Sequence, residues 1–325
     1  MSPTTTSIPN SADSRLSGRA GTASPGALGA AQRSRGRDEV ADRLLTASAR
    51  HSFDPLTEID WTQPPVPGLP YLPLEHVSLY GTALWDDLSE EQRIELSKHE
   101  IASAMSVGLW FEIVLMQLLS RYVYDLDPRS AHAQYALTEL GDETRHSIMF
   151  ARTAATLGVP RYRPARLTHE ITRFAKAAMG GPSMFAAILV AEETTDRMQR
   201  IMMDDPGIQP LIRAVNRIHV IEEARHVKFA REEVTRQMAG MNFARRELHR
   251  TVTAVVGYLI IDSLVDPKVY ASVGIEPAVG RAAALANPHH HDSRRWMAER
   301  ITAFLKDEGL IGGPTTTIWR RAHLI

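Results

Sequence analysis

The chain has 325 residues, a formal net charge of −1 and no cysteine. This composition excludes disulfides, thiolate-held iron–sulfur clusters and a cysteine nucleophile, and it provides no basic field for nucleic acid, which is not expected as a partner. No glycine-rich dinucleotide fingerprint follows a strand pattern, so electrons for any redox chemistry have to come from an external donor.

Residues 1–50 read as a disordered N-terminal tail: up to residue 37 they are rich in Ser, Gly, Ala, Pro and Arg, with Asp13 as the lone acid. Residues 51–88 carry Trp61, Pro64, Pro65, Pro67, Pro70, Tyr71 and Pro73, a composition suited to an extended segment that wraps the main domain and has no chemistry of its own. One helical domain is expected over 89–310, with a C-terminal tail over 311–325. Its first helix opens at Ser89, where Ser-Glu-Glu-Gln forms a capping box, and runs to about Tyr124. Asp127-Pro128 predicts the cap of the second helix, which stops before Gly158-Val159-Pro160. Gly180-Gly181-Pro182-Ser183 starts the third, Asp204-Asp205-Pro206-Gly207 ends it, and a fourth covers Pro210 to Met238. A fifth, apolar helix spans Ala244 to Val265, and a further one Ser293 to Leu310. Strand-like alternation is scarce, so the class is all-α. The most apolar stretch, Ala104 to Leu119, holds about sixteen residues and contains Glu112, short of a membrane span. No membrane partner is expected, and the expected compartment is the cytoplasm.

Two pentads, Asp142-Glu143-Thr144-Arg145-His146 and Glu222-Glu223-Ala224-Arg225-His226, lie eighty positions apart on the second and fourth helices. In each, a Glu and a His three apart share one helix face and can reach a single inward point. Glu112 stands thirty-one residues before Glu143, and Glu192 thirty-one before Glu223. Two helical hairpins of one design therefore offer two metal sites, in the manner of ferritin-like four-helix bundles. Neighbouring Glu193 lies about 100° away, toward Arg197, whereas Glu192 shares a stripe with Phe185, Ile188 and Leu189 and is the preferred ligand. Asp142 and Glu222 are candidates to receive the outer N–H of metal-bound histidines, and Arg145 and Arg225 either close that network or are solvated helix charges. His219 falls with Glu223 and His226 within about 60° of arc, as a third histidine ligand or a core histidine. Carboxylate and imidazole ligands without thiolate favour two iron ions (Fe2+/Fe3+), with manganese as the substitute.

Met105, Leu109, Phe111, Met116, Met184 and Tyr258 either line a substrate pocket or are plain core. Asp262 is left open between a place near the metals and the end of a buried face. His289-His290-His291 follows Asn287-Pro288 and reads as a solvated loop.

The motif Asp-Glu-Thr-Arg-His-Ser at 142–147, Val-Ala-Glu at 190–192 and His-x-x-x-Glu-x-x-His from His219 to His226 resemble the AurF-type non-haem di-iron N-oxygenases, which are p-aminobenzoate N-oxygenase-like. The similarity covers about residues 75 to 265. It implies a ferritin-like bundle in which Glu112, Glu143, His146, Glu192, His219, Glu223 and His226 hold two irons, and a reduced pair that activates dioxygen to oxidise an aryl amine toward hydroxylamine and nitro products. The implied partners are a small-molecule substrate, dioxygen and an electron donor, and the fold suggests a homodimer. Competing readings are a hydroxylase or desaturase acting on a C–H bond, a metal storage protein without organic substrate, and an inactive interaction bundle.

Overall fold

A computed structural model describes the backbone of residues 25–325, with side-chain surroundings from residue 36. Two compact units divide after Arg37. The first, Met1–Arg37, is described only from Pro25, where it forms the opening turns of a helix; the second, Asp38–Ile325, contains all that follows.

The described residues are all-helical, without a strand: α1 (Pro25–Arg50), α2 (Pro55–Glu58), α3 (Ala83–Asp86), α4 (Glu90–Tyr124), α5 (Ala131–Leu157), α6 (Arg166–Ala178), α7 (Pro182–Asp204), α8 (Pro210–Met238), α9 (Phe243–Ser263), α10 (Pro277–Ala286), α11 (Pro288–Asp307) and α12 (Thr316–Arg321). The architecture is a ferritin-like four-helix bundle. Hairpins α4–α5 and α7–α8 pair face to face, α9 and α11 pack on α7, and α6 lies in the crossover between the hairpins.

Local chemistry sets most boundaries. Ser89 and Gln92 form the reciprocal capping box that opens α4. Helix α5 starts three residues later than Asp127-Pro128 suggests, because Ser130 takes the cap while Asp127 closes a turn onto the Arg129 amide. It ends at Gly158, whose φ of 65° suits a residue without Cβ. Helices α7 and α8 start with Pro182 and Pro210 in their first turns, where a missing N–H costs no bond.

Three segments differ from expectation. The tail expected up to residue 50 is helical from Pro25, and its last turns are seated on the bundle: Ala41 is buried, Leu44 and Leu45 pack beside it, and Asp38 accepts from the His132 amide. Residues 1–24 of that expectation lie outside the described residues. Over 311–325, expected as a tail, Trp319, Ala322 and Leu324 enter the main core. Helix α11 starts five residues before the expected Ser293, since Asn287 caps it and Pro288 occupies its first turn, so the three histidines are helical. His290 is buried, and His289 donates its Nε2 N–H to the Glu75 carbonyl at 2.7 Å. The solvated-loop reading fails because the cap lies upstream of the triplet.

The segment 51–88 has little regular structure, and it is tied down by Gln209, whose side chain bonds the backbone of Val66 and Leu69. Tyr71, Leu72, Val77, Leu79 and Trp85 fill a second apolar cluster beside α4. Helix α4 and the stretch from α9 onward are long and apolar enough to cross a membrane by length and composition, beyond the sixteen-residue reading of Ala104–Leu119, and half of the α4 window is buried inside the fold.

Trp319 is 1% exposed, and Gly257 makes room for its ring, since a Cβ there would stand 3.0 Å from it. Trp319→Ala should lower stability by about 3–5 kcal/mol in urea unfolding. A loss below about 1 kcal/mol would show that the C-terminal residues contribute little to the core.

Candidate metal centre

Glu112, Glu143, His146, Glu192, His219, Glu223 and His226 are all buried in the middle of α4, α5, α7 and α8. Their donor atoms fall into overlapping groups, each within 4.8 Å: Glu143, His146, Glu223 and His226; Glu112, His146 and His219; Glu192, His219 and Glu223. Glu143 and Glu223 lie at the centre. His226 Nδ1 is 3.1 Å from Glu143 Oε1 and 3.0 Å from Glu223 Oε1, and His146 Nδ1 is 3.1 Å from both carboxylates.

The outer ring nitrogens are bound crosswise. His146 Nε2 meets Glu222 Oε2 at 2.9 Å and His226 Nε2 meets Asp142 Oδ2 at 3.2 Å, so each pentad's leading acid serves the histidine of the other. Because a carboxylate only accepts, each Nε2 donates outward, which turns each Nδ1 toward the inner carboxylates. Arg145 binds Asp142 and lies 3.8 Å from Glu222. Arg225 lies 3.5 Å from Asp142 and 3.8 Å from Glu222. Both arginines thus belong to the network. His219 is turned the other way: Nδ1 meets Gln199 Oε1 at 3.1 Å, leaving Nε2 toward Glu112, Glu192 and Glu223 at 3.5–3.8 Å.

Glu112 Oε2, Glu143 Oε1, Glu223 Oε2 and His219 Nε2 are buried without a hydrogen-bond partner. Orphaned acceptors at one point are costly without a cation and satisfied by one. Electrostatics agree. Burial, then the neighbouring carboxylates, raises Glu112 and Glu192 well above the ordinary carboxylate range. Burial also opposes charge on His146 and His226, yet hydrogen bonds and charge from the surrounding carboxylates raise both well above the usual histidine value. His219 falls to about 4 because burial dominates. The residues fit a dinuclear metal group, and four glutamates balance two divalent cations.

Other sequence candidates separate cleanly. Glu193 is buried against Arg231 rather than Arg197. Asp262 pairs with Arg281 at 2.8 Å, away from the cluster. Three participants were not foreseen. Gln199 is seven residues after Glu192, on the same helix face, a spacing that could have revealed it. Phe53 donates its backbone N–H to Glu222 Oε1 at 3.0 Å, and Ser52 accepts from Arg145, so the wrapping segment does take part in the site.

A cavity of about 140 Å³ starts at Glu112, Glu192 and His219. Its walls include Ile101, Met105, Phe111, Phe150, Met198 and Met297, and its lining also contains His76, Glu100, His290 and Arg294. Of the pocket candidates, Met105 and Phe111 line it, whereas Met184 is core and Met116 instead meets the Thr144 hydroxyl. Leu109 and Tyr258 pack against the apolar clusters. Arg294 is 8% exposed, and its hydrogen bond among the described residues runs from Nε to His290 Nε2 at 3.1 Å. Burial, then Arg294, pushes His290 down to about 3, so the imidazole is neutral and accepts.

The family model described as P-aminobenzoate N-oxygenase AurF matches residues 34–309. The uncharacterized protein MT0908 of Mycobacterium tuberculosis (strain CDC 1551 / Oshkosh) is 27% identical over 299 residues, covering 87% of this chain and 86% of its own length. The uncharacterized proteins Mb0909 of Mycobacterium bovis and Rv0885 of Mycobacterium tuberculosis (strain ATCC 25618 / H37Rv) are each 27% identical over 297 residues, with the same coverage.

Burial of Glu100 pushes its carboxyl up to about 7, against hydrogen bonds from the Ser78 amide and hydroxyl that favour its charge. The folded protein therefore holds this proton more tightly than the unfolded chain, and stability falls as pH rises from the ordinary value of 4.5 through about 7. Glu100→Gln should remove that slope. In urea unfolding across pH 5 to 8, the variant should gain on the parent by on the order of 3 kcal/mol; a pH-independent difference would show that Glu100 holds no such proton.

Proposed function

The chain belongs to the AurF family of p-aminobenzoate N-oxygenases, and from that premise we propose that it is a cytoplasmic non-haem di-iron monooxygenase that N-oxygenates an aryl amine to hydroxylamine and nitro products. The carrying observation is the buried set of orphaned acceptors that opens directly on an apolar cavity. Glu112, Glu143, His146, Glu192, His219, Glu223 and His226 are the residues that would hold the two metals. When bound, two irons supply the electrons and open positions that activate dioxygen.

The protein's own groups do the rest. Glu222 and Asp142 hold the His146 and His226 rings with Nδ1 inward, and Gln199 holds His219 with Nε2 inward. Ile101, Met105, Phe150 and Met198 keep water from the reacting end. Arg294, steadied by His290, receives an acidic group on the substrate so that the amine points toward the ligand cluster. Each oxygen insertion returns the second oxygen atom as water, using two electrons and two protons from an external donor. A storage role fits less well, because the cavity lining is mainly apolar rather than an acid-lined path for iron.

Replacing Glu143 or His226 with Ala should lower iron content and abolish turnover; full iron with normal turnover would remove these positions from the site. Anaerobic reduction of the iron-loaded protein, then dioxygen and a panel of aryl amines, phenols and acyl chains, should give mass gains on the amines. Oxygenation confined to phenols or chains would overturn the assignment. Arg294→Ala should raise KM for acid-bearing amines about ten- to hundredfold, equivalent to about 1.5–3 kcal/mol, with little change for neutral amines. Equal effects on both classes would remove Arg294 from substrate binding.

A further inference from the structure

A second cavity, about 290 Å³, lies on the other side of Glu192. It is bounded by α4, α6, α7 and α9 and shares Phe111, Ala191, Glu192 and Ile260 with the first cavity. Its lining positions keep helical spacing along the surrounding elements: Trp110, Val114 and Leu118 on α4, and Thr251, Val255 and Leu259 on α9. Such spacing marks one continuous face of each helix, so the cavity runs along the helices.

Three contacts orient it. The Trp110 and His169 rings, 6.0 Å apart, place the start of α6 at the end nearest Glu112. Arg121 binds the carbonyls of Lys176 and Met179, placing the end of α6 beside the end of α4. His249 meets Ser183 at 3.0 Å, placing the start of α9 at that same outer end. The cavity therefore extends from Glu192 toward Lys176. From Trp110 to Leu118 an α-helix advances about 12 Å. A zigzag of carbon–carbon single bonds advances about 1.25 Å per bond, so that length takes about ten carbons. The lining is apolar except at Glu192, the threonines and Lys176. Lys176 Nζ donates to Gln117 Oε1 at 2.6 Å and has no carboxylate partner among the described residues.

We propose that this cavity binds an unbranched aliphatic chain of about ten carbons, with a terminal carboxylate at Lys176 and its far carbons against the wall formed by Phe111, Ala191 and Ile260. The length comes from the helix faces, the chemistry from the lining, and the polarity of the ligand from Lys176, the cation in that lining. The site is independent of the aryl-amine reading, since it neither uses Arg294 nor requires turnover.

The test is calorimetric titration of the full-length protein, iron-loaded and chelated, with decanoate and 1-decanol. The parent should bind both ligands, with or without iron. Ala175→Phe on α6 and Val255→Trp on α9 fill the cavity from its outer wall and should weaken both ligands at least tenfold, with circular dichroism and iron content confirming the fold. Lys176→Gln should weaken decanoate severalfold and leave decanol unchanged. Arg294→Ala should leave both unchanged. Loss of decanoate binding in Arg294→Ala but not in the filling variants would place the chain in the first cavity and overturn the proposal, as would the absence of binding to the parent. Failure of iron loading with intact decanoate binding would count against the metal reading alone.

Discussion

The crossed pairing of two histidines with the leading acids of each other's pentads fixes the centre of this molecule. An imidazole is symmetric enough to present either nitrogen, and only the partner of one nitrogen decides what the other offers. By receiving the outer N–H of His146, Glu222 on α8 governs a ring on α5; Asp142 does the converse for His226. The two helices carry the pentads into register and hold each other's donor atoms in place. A shift of either helix along its axis would break both bonds together, so α5 and α8 are coupled through the site as well as through their packing. Arg145 and Arg225 lie between the same two acids, so cations from both helices join the crossed pairs into one network.

This arrangement carries an energetic cost that apolar packing offsets. Burying carboxylates costs several kcal/mol per ion when they are unpaired, and here burial, then the neighbouring carboxylates, raises Glu112 and Glu192 well above the ordinary carboxylate range. The bundle tolerates the cluster because it lies between two apolar clusters. One contains Leu115, Leu118, Phe185 and Phe229, and the other contains Leu96, Met149, Ile212 and Ile218. A cation held at the cluster would displace protons and recover the lost attraction, which would couple its binding to folding.

The centre was legible in the sequence because repetition is a strong signal. Two matching pentads, each thirty-one residues after a Glu on an apolar face, left few ways to fold, and the structure brings all seven expected donors together. Helix ends marked by Gly or by Pro in the first turn were legible for the same reason, since their backbone restrictions are local. Long-range partners were not. Nothing around Phe53 announces that its amide will meet Glu222, because that contact depends on how an irregular segment crosses α8. The helical stretch Pro25–Arg50 was hidden by its composition: small and polar residues resemble a tail, and only Ala41, Leu44 and Leu45 at helical spacing betray a packing face. His289–His291 misled because a histidine triplet draws attention to itself, while the informative residues were Asn287 and Pro288 before it.

One turn of α7 shows how finely the angle around a helix is used. Ala191, Glu192 and Glu193 are separated by about 100° steps, and the three meet different surroundings. Ala191 is a small wall shared by both cavities, Glu192 reaches the cluster, and Glu193 meets Arg231 of α8. The acid pair therefore has two jobs: one carboxylate faces inward, 3.8 Å from His219 Nε2, and the next fastens α7 to α8 so that the first cannot rotate away. Exchanging the two roles would need a turn of about 100°, which would break the Arg231 bonds and bring a charge against the apolar wall. The hydrogen-bonded acid thus selects which of two adjacent glutamates faces the donor cluster.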